Sequence, residues 1–237
     1  MSQFGILSKL NFLQNWSSLI IARINPAIVH NLEKYSALKK VHYLSAIERV
    51  EGDYLEFGVF TGSSFCHSIR CNKQLLKLNS NLKNTKFYGF DSFEGFGDLE
   101  KGDEHPFYTD HNFETNYEKV KRRVKKISGV FSFELIKGFF SESLKKGNDH
   151  YGIKKSRIVF IDSDTYSSSR DAFNFILDTV QTGTFIILDD YYSYRGSESK
   201  GVALAFNDFV KKGKFKTRRV LDYGMGGVVY VISEING

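Results

Sequence analysis

The stretch RIVFIDSDTYSSSR, residues 157–170, decides the fold of this chain when it is taken together with TFIILDDYY, residues 184–192. In each stretch an apolar run ends in a pair of aspartates. These are Asp162, Asp164, Asp189 and Asp190. Such runs fit central strands of a parallel sheet that are buried on both faces. A predicted helix separates the two runs, which favours neighbouring parallel strands whose carboxyl ends carry all four carboxylates.

Strands and helices alternate outward from this pair in both directions. The predicted strands cover residues 53–59, 86–92, 133–138, 157–164, 184–192, 217–223 and 227–234. The predicted helices cover residues 1–48, 63–78, 116–127, 141–146, 167–181 and 201–213. Gly183 is expected to end the helix over residues 167–181. This order predicts an α/β fold with a seven-stranded, mostly parallel sheet and helices on both faces. The last two strands form an antiparallel hairpin, and the N-terminal residues form a helical cap.

Length and charge limit the classes of function. The 237 residues fit one domain, in which residues 1–45 form a helical cap, lid or dimer segment and residues 46–237 form the α/β core. The net charge of +6 is compatible with an anionic partner. Its densest part, KVKRRVKK (119–126), is interpreted as the solvated face of a helix. Without a base-pocket motif or an appended binding module, we expect no nucleic-acid partner.

The cysteines and the N-terminal segment bear on localisation. Cys66 and Cys71 supply neither a disulfide framework nor a complete zinc site, so reduced thiols in a cytoplasmic protein are expected. The apolar segment FLQNWSSLIIARI (12–24) is short and is interrupted by Asn15 and Arg23, which argues against a transmembrane segment. We interpret it as an amphipathic helix that packs on the domain or on a second subunit, with a membrane surface as the alternative. A homo-oligomer is therefore expected.

Two further strand ends carry features of a nucleotide site. The turn EFGVFTGSS (56–64) places Gly58 and Gly62 where the chain must turn tightly. Its Gly-x-x-x-Gly spacing differs from the Gly-x-Gly-x-x-Gly of dinucleotide sites, and it lacks the Gly-Lys-Ser/Thr of a P-loop. Asp91, at the end of the second predicted strand, suits either ribose hydroxyls or a local turn.

The four carboxylates predict a metal ion. Like charges repel each other and are costly to bury, so a cation between them would stabilise the arrangement. Oxygen-only ligands favour a hard ion, Mg²⁺ before Ca²⁺. In the alternative interpretation, Asp162 and Asp164 cap the helix that follows them.

Five segments in this order resemble the class I S-adenosylmethionine-dependent methyltransferases. They are GDYLEFGVFTGSS, GFDSFEG, LIKGFFSESL, VFIDSDTYSSS and IILDDYY. More narrowly, they resemble the macrocin O-methyltransferase (TylF/MycF-type) family, which methylates sugar hydroxyls with Mg²⁺. The resemblance covers residues 45–232. It implies a Rossmann-like class I methyltransferase fold, S-adenosyl-L-methionine and Mg²⁺ as cofactors, and a sugar or nucleotide-linked sugar as the acceptor.

The resemblance also implies roles for individual residues. The cofactor-binding residues would be Glu56, Gly58, Phe60, Gly62, Ser63, Asp91, Ser92, Phe93, Gly138, Phe139 and Asp162. The metal ligands would be Asp162, Asp189 and Asp190. The catalytic candidates are Asp164, Asp162 and His111. The register between Asp162 and Asp164 stays open, because either could bind the ion and either could take the proton.

The expected chemistry is an in-line displacement at a sulfonium by a hydroxyl oxygen. The protein must orient both reactants and help the hydroxyl lose its proton. A divalent ion bound to the hydroxyl lowers its pKa, and a nearby aspartate or histidine can then take the proton. His105 and His111 lie in a polar segment, residues 93–115, that would either cover the site or remain a solvated loop.

Two other functions compete with this interpretation. Asp-x-Asp-x-Thr after an apolar strand is also how haloacid-dehalogenase-type phosphatases begin, but there the nucleophile strand opens the domain. Here it is the fourth predicted strand, with 75 residues after Asp162. A non-catalytic methyltransferase-like interaction module is the second alternative, and the presence of all four carboxylates and both glycine turns argues against it.

Overall fold

The computed structural model describes residues 10–97, 99–108 and 113–236, and its strands form one seven-stranded sheet. The strands are β1 (Asp53–Phe57), β2 (Phe87–Asp91), β3 (Phe133–Lys137), β4 (Ser156–Ile161), β5 (Val180–Leu188), β6 (Phe215–Tyr223) and β7 (Gly227–Ile235). They lie in the order β3-β2-β1-β4-β5-β7-β6. Strands β1 to β5 are parallel, and β7 is antiparallel to both β5 and β6. The predicted mostly parallel sheet with a terminal hairpin is confirmed.

Helices cover both faces of this sheet, as predicted. They are α1 (Asn11–Arg23), α2 (Pro26–Ile47), α3 (Ser63–Leu75), α4 (Tyr117–Ser128), α5 (Phe140–Ser143), α6 (Asn148–Tyr151), α7 (Tyr166–Ile176), α8 (Ser193–Gly196) and α9 (Gly201–Lys212). Helices α2, α3 and α4 contribute to one hydrophobic core, and α7 and α9 contribute to the other. Short 3₁₀ helices lie at Ser80–Asn84 and Leu144–Lys146.

The side chains of β4 explain why its sequence is apolar throughout. Ile158 and Phe160 pack into the core beneath α2, α3 and α4, while Val159 and Ile161 pack into the core beneath α7 and α9. Successive residues of a strand point to opposite faces of the sheet, so a central strand needs apolar residues at every position. Burying each such side chain contributes about 1.5–3 kcal/mol.

The order of the strands fixes where a ligand can bind. Strand β1 lies between β2 and β4, so the chain leaves β1 to one side and later returns to its other side. Crevices for ligands form at such a reversal, beyond the carboxyl ends of the strands. The register aligns Phe57 with Ile161, and Ile161 with Leu188. The loops that begin at Gly58, Asp162 and Asp189 therefore start at the same level of the sheet.

The described part of the N-terminal region, predicted to be helical, forms two helices. The Asn25 side chain accepts a hydrogen bond from the amide of Ala27 at 2.9 Å, and Pro26 occupies the first helical position, which proline favours. Helix α2 packs on α3 and on β4, β5 and β6, whereas no residue of α1 is buried. Within the described ranges, no helix is long and apolar enough to cross a membrane. The division into a cap (1–45) and a core stays a prediction, and residues 1–9 lie outside the described residues.

Several predicted boundaries were wrong. The helix predicted for residues 167–181 ends at Ile176. Gly183, predicted to end that helix, lies inside β5 at φ +92°, where a Cβ would come within 2.9 Å of the Val50 side chain. Strands β4 and β5 end at Ile161 and Leu188, so all four aspartates belong to the loops that follow. Cys66 and Cys71 are free and buried.

Candidate active site

A cavity of about 540 Å³ opens at the carboxyl ends of β1, β2, β4 and β5. Gly58, Phe60 and Asp91 line one part of it, and Phe139 lies beside them. The four aspartates that follow β4 and β5 line another part. Asp162 connects the two parts, because it also lies against Gly58. The size of the cavity is in the range of small-molecule sites. Two regions of different chemistry thus share one cavity.

The glycine turn after β1 brings two loops into direct contact. Gly58 has a φ of +94°, and a Cβ there would lie 1.8 Å from the carbonyl oxygen of Asp162. Only glycine leaves room for the backbone of the β4 loop at this distance. The backbone of β1 and the first aspartate of the cluster therefore lie against each other, beside the cavity.

Asp91 connects the glycine turn to the loop after β2. Its Oδ2 accepts hydrogen bonds from the amides of Val59 and Phe60, both at 2.7 Å. Its Oδ1 accepts one from the amide of Phe93 at 2.5 Å. Burial raises the pKa of Asp91, and the three amides oppose that shift. The bond from Phe93 is the local turn that was one of the two alternatives for Asp91. Asp91 and Ser92 also line the cavity, and the contact with ribose hydroxyls stays a prediction.

Glu56 lies behind this wall. Its carboxylate is buried and accepts hydrogen bonds from Ser64 Oγ at 2.6 Å and from the hydroxyl of Tyr54. Burial raises the pKa of Glu56 to about 7. The cavity is lined by Gly58, Phe60, Asp91, Ser92, Phe139 and Asp162 among the predicted cofactor residues, but not by Glu56, Gly62, Ser63, Phe93 or Gly138. A role for this second group in cofactor binding stays a prediction.

Three of the four predicted carboxylates meet closely enough to share an ion. One oxygen each from Asp162, Asp164 and Asp190 lies within 4.8 Å of the others. Asp164 has a φ of +62°, in the left-handed region. Asp190 Oδ1 also accepts a hydrogen bond from the Tyr108 hydroxyl at 3.1 Å. This trio differs from the predicted ligand set by containing Asp164 in place of Asp189.

Asp189 is surrounded by donors. Its Oδ1 accepts a hydrogen bond from the Tyr223 hydroxyl at 2.7 Å. Its Oδ2 lies 2.5 Å from Lys34 Nζ and 3.2 Å from His30 Nε2. Lys34 Nζ also lies 3.1 Å from Asp162 Oδ2. The carboxylate predicted as a metal ligand is therefore paired with side chains of α2 and β6.

The electrostatics divide the cluster in the same way. Burial alone would raise the pKa of Asp189, but the positive charge of Lys34 and the hydrogen bond with His30 hold it below its usual value. Burial and the neighbouring charge of Asp189 raise the pKa of Asp162. Burial and the charges of Asp190 and Asp162 raise the pKa of Asp164. Negative charge is thus insufficiently neutralised around Asp162 and Asp164.

The donor set fits a hard divalent cation. Three carboxylates converge, and neither cysteine nor histidine belongs to the trio. Oxygen-only ligands are those that Mg²⁺ prefers, and a divalent charge would offset the repulsion that raises the pKa values of Asp162 and Asp164. Asp162, Asp164 and Asp190 are the residues that would hold it.

The alternative role of Asp162 and Asp164 as helix caps is not what the structure shows. The side chain of Thr165 accepts a hydrogen bond from the amide of Ser168 at 3.3 Å. Asp103, from the segment after β2, accepts one from the amide of Tyr166 at 2.9 Å. These two residues satisfy the first turn of α7, which leaves both aspartates for the cavity.

The segment after β2 lies beside the acidic cluster. An isolated bridge between Glu94 and Glu114 joins its two ends. Asp103 attaches it to α7, and Tyr108 attaches it to Asp190 and to Ser193, whose Oγ lies 2.6 Å from the hydroxyl. Of the two alternatives for this segment, the contacts of its described residues favour a cover over a solvated loop. His105 stacks on Tyr108 with ring centroids 4.3 Å apart, and His111 lies outside the described residues.

Several residues of the cavity were missed from the sequence. Ala27, His30, Asn31 and Lys34 of α2 line it. Their spacing of three and four residues places them on one helix face. That spacing was visible, but it did not indicate that this face meets the carboxylates, which lie far away in sequence. Tyr108 and Ser193 carried no distinguishing signal.

The family described as macrocin-O-methyltransferase (TylF) matches residues 26–220. No protein with curated function matches the sequence.

Solved structures share the fold at low sequence identity. The O-methyltransferase NovP is 17% identical, with 85% of this chain and 80% of that chain covered and a TM-score of 0.68. The calicheamicin methyltransferase CalS11 is 14% identical, with 91% and 85% covered and a TM-score of 0.69. An O-methyltransferase from Bacillus cereus in complex with SAH is 14% identical, with 84% and 81% covered and a TM-score of 0.55. These similarities agree with the Rossmann-like methyltransferase fold expected from the sequence.

Proposed function

We propose a specific reaction from one premise: the chain belongs to the macrocin-O-methyltransferase family and is an S-adenosylmethionine-dependent O-methyltransferase. The reaction is transfer of the methyl group to a hydroxyl of a sugar or sugar-containing small molecule, with Mg²⁺ at the acidic cluster. Family membership removes the phosphatase interpretation of Asp-x-Asp-x-Thr, and the place of β4 as the fourth strand along the chain agrees with this.

One observation carries the proposal: the glycine turn with Asp91 and the aspartate cluster line a single cavity. Asp91 and Ser92 suit the ribose of the cofactor, with Phe139 beside them for the adenine. Gly58 allows the donor to approach the backbone near Asp162. On this proposal the sulfonium lies between the residues that would bind the nucleoside and the carboxylates, where an acceptor hydroxyl can meet it.

The residues of this chain would perform three tasks. They hold donor and acceptor in line, so that the acceptor oxygen forms a bond to the methyl carbon as the bond from that carbon to sulfur breaks. An oxygen of Asp164 or Asp162 receives the hydroxyl proton. The segment attached through Asp103 and Tyr108 excludes water from the reacting groups. Bound Mg²⁺ supplies a lower pKa for the acceptor hydroxyl.

A sugar acceptor is supported by the lining and by the relatives. Phe96, Phe107, Phe113 and Tyr192 line the cavity, and aromatic rings offer apolar faces to the C–H groups of a sugar. CalS11 is described as a TDP-rhamnose 3'-O-methyltransferase. We extend a nucleotide-linked sugar to this chain as the first acceptor to test.

Self-association remains part of the proposal. Helix α1 exposes Phe12, Trp16, Ile20 and Ile21 by more than half of their surfaces. Exposed apolar side chains in one helix favour contact with another surface. We expect that surface to belong to a second copy of this chain, in a homo-oligomer.

The first experiment is a calorimetric titration of the protein with S-adenosylmethionine and its demethylated product, followed by an acceptor screen with Mg²⁺ and then with EDTA. We expect both cofactor forms to bind and turnover of a sugar hydroxyl to stop in EDTA. The control variant is Asp222→Asn, which should behave like the unmodified protein, because Asp222 is exposed and paired with Arg219 on β6. Turnover that persists in EDTA would remove Mg²⁺ from the proposal, and absence of cofactor binding would remove the reaction.

A further inference from the structure

A second cavity, separate from the one that contains the aspartates, lies between α3 and α4. Its volume is about 480 Å³, which is in the range of small-molecule sites. Among the described residues, six line it and five of these are cations. They are Arg70 from α3 and Lys119, Arg122, Arg123, Lys126 and Ile127 from α4. We call this cavity the basic groove.

The packing of α4 accounts for only part of this arrangement. Val120 and Val124 are buried in the core, so the basic residues beside them lie on the solvated side of the helix. That explains why the surface of α4 is basic. It does not explain why Arg70 of a neighbouring helix lines the same groove.

The positive charges of the groove have no carboxylate partners among the described residues. None of the five cations forms an ion pair within that part of the chain. Arg122 and Lys126 are four residues apart on α4, and like charges at this spacing repel each other. Burial raises the pKa of the Cys66 thiol, and the charges of Arg123 and Arg70 both oppose that shift. The two helices thus build one positive field, which a bound anion would offset.

Backbone carbonyls hold two of the guanidinium groups in place. Arg123 Nη1 donates to the carbonyl oxygen of Thr61 at 2.8 Å, and Arg122 Nε donates to that of Glu118 at 3.2 Å. Each guanidinium has five N–H donors in a planar fork, so donors remain for a ligand. This fork matches the oxygens of a phosphate group.

The lining favours phosphate groups over the other parts of a nucleotide or nucleic acid. No aromatic side chain of the described residues lines the groove, so a base would find no ring on which to stack. A diphosphate carries more charge than a single phosphate and extends further, so it can contact cations of both helices.

We propose that the basic groove is a second ligand site, which binds the diphosphate group of a soluble small molecule or of a lipid headgroup. Arg70 of α3 contacts this group from one side, and Arg122, Arg123 and Lys126 of α4 contact it from the other. The site goes beyond the proposed function and does not depend on it, because its test contains neither a methyl donor nor a divalent ion.

The experiment is a calorimetric titration of the full chain with pyrophosphate and, in parallel, with inorganic phosphate, in EDTA at low ionic strength. We expect one saturable site that binds pyrophosphate about tenfold more tightly than phosphate, because pyrophosphate makes additional charge-assisted hydrogen bonds.

The matched variants are Lys126→Gln and Lys125→Gln. These neighbours lose the same charge from the same helix, and of the two only Lys126 lines the groove. We expect Lys126→Gln and Arg70→Gln each to weaken pyrophosphate binding by about tenfold, and Lys125→Gln to weaken it by less than about twofold. All three residues are exposed, and circular dichroism checks that the variants are folded.

Sedimentation with phosphatidylcholine vesicles distinguishes the two sources of the diphosphate. Protein that pellets with vesicles containing farnesyl diphosphate, and not with phosphatidylcholine alone, supports a lipid headgroup. Protein that binds pyrophosphate and stays in the supernatant supports a soluble diphosphate.

Equal losses in Lys125→Gln and Lys126→Gln would make the groove an ordinary solvated helix face and overturn the proposal. Unchanged binding in Lys126→Gln and Arg70→Gln would place the pyrophosphate elsewhere on the protein, with the same consequence. Absence of saturable binding, or equal affinity for phosphate and pyrophosphate, would also overturn the assignment of a diphosphate site.

Discussion

Adding a single methyl group at Gly58 should lower the stability of the protein and its affinity for ligands. The backbone of Gly58 has a φ of +94°, and a Cβ would lie 1.8 Å from the carbonyl oxygen and 2.8 Å from the carbonyl carbon of Asp162. Both obstacles are backbone atoms, which no change of rotamer can move. Gly58→Ala must therefore separate the loops after β1 and β4, and it must do so beside the aspartate cluster.

The magnitude follows from two terms. A left-handed conformation costs a residue with a Cβ about 1–2 kcal/mol. Inserting a methyl group into a packed region costs about 1–3 kcal/mol more. The sum of about 2–5 kcal/mol corresponds to a fall in Tm of about 4–20 °C for a domain of this size. Because the displaced backbone belongs to Asp162, affinity for the cofactor and for the metal should fall as well.

Thermal denaturation followed by circular dichroism, with cofactor affinity from calorimetry, measures both effects. Gly102→Ala is the matched control, because Gly102 has a φ of +103° and a Cβ at this position would meet nothing within 4 Å. It isolates the cost of the backbone conformation, so we expect about 1–2 kcal/mol and unchanged cofactor affinity. If Gly58→Ala and Gly102→Ala had equal Tm values and equal cofactor affinities, the close approach of the two loops would not matter, and the reasoning would fail.

Three further predictions concern the surrounding residues. Asp91→Asn replaces a carboxylate that accepts three amide hydrogen bonds. We expect stability to fall by about 1.5–3 kcal/mol in urea denaturation and cofactor binding to weaken in calorimetry. Unchanged values in both measurements would contradict the role of Asp91. Asp103→Ala removes the hydrogen-bond acceptor for the first turn of α7. We expect the free energy of unfolding to fall by about 1 kcal/mol and kcat/KM to decrease. An unchanged kcat/KM would argue against a functional cover. Burial raises the pKa of Glu56 to about 7. Between the unfolded pKa and the folded pKa, the Glu56 carboxyl is therefore protonated in the folded protein and ionised in the unfolded chain. The stability of the fold falls as pH rises through that window. Relative to Glu56→Gln, the unmodified protein should lose about 3 kcal/mol between about pH 4.5 and pH 7, and parallel pH profiles of the two proteins would contradict this.

The sequence was sufficient for the architecture because apolar pattern and strand order are local properties. The unbroken apolar runs before the aspartate pairs can be satisfied only in central strands, and β4 is packed on both faces. Strand ends were less accurate. Helix α7 and β5 are joined by residues that suit either structure, and Gly183 lies inside β5 against the Val50 side chain and not at a helix end.

The role of the predicted site residues stays a prediction, and only some of them line the cavity. The ends of β1, β2, β4 and β5 do line one cavity, as the order of parallel strands required. The different roles of the four aspartates could not be predicted from the sequence, because all four have the same chemistry and differ only in their neighbours. Asp103 of the segment after β2 could not be recognised as the partner of α7 either, since the two are separated by 63 residues in sequence.

The sequence by itself determined that two apolar strands would deliver four carboxylates to one edge of a parallel sheet, since side-chain periodicity and chain connectivity leave few other arrangements. Only the tertiary structure decided which carboxylates remain available to an ion. Helix α2 precedes the sheet and carries no mark of where it docks, yet its docking places Lys34 and His30 against Asp189. A charge acts on its neighbours in space whatever their separation along the chain, and that is why FIDSD and ILDD predicted the site but not the roles of their aspartates.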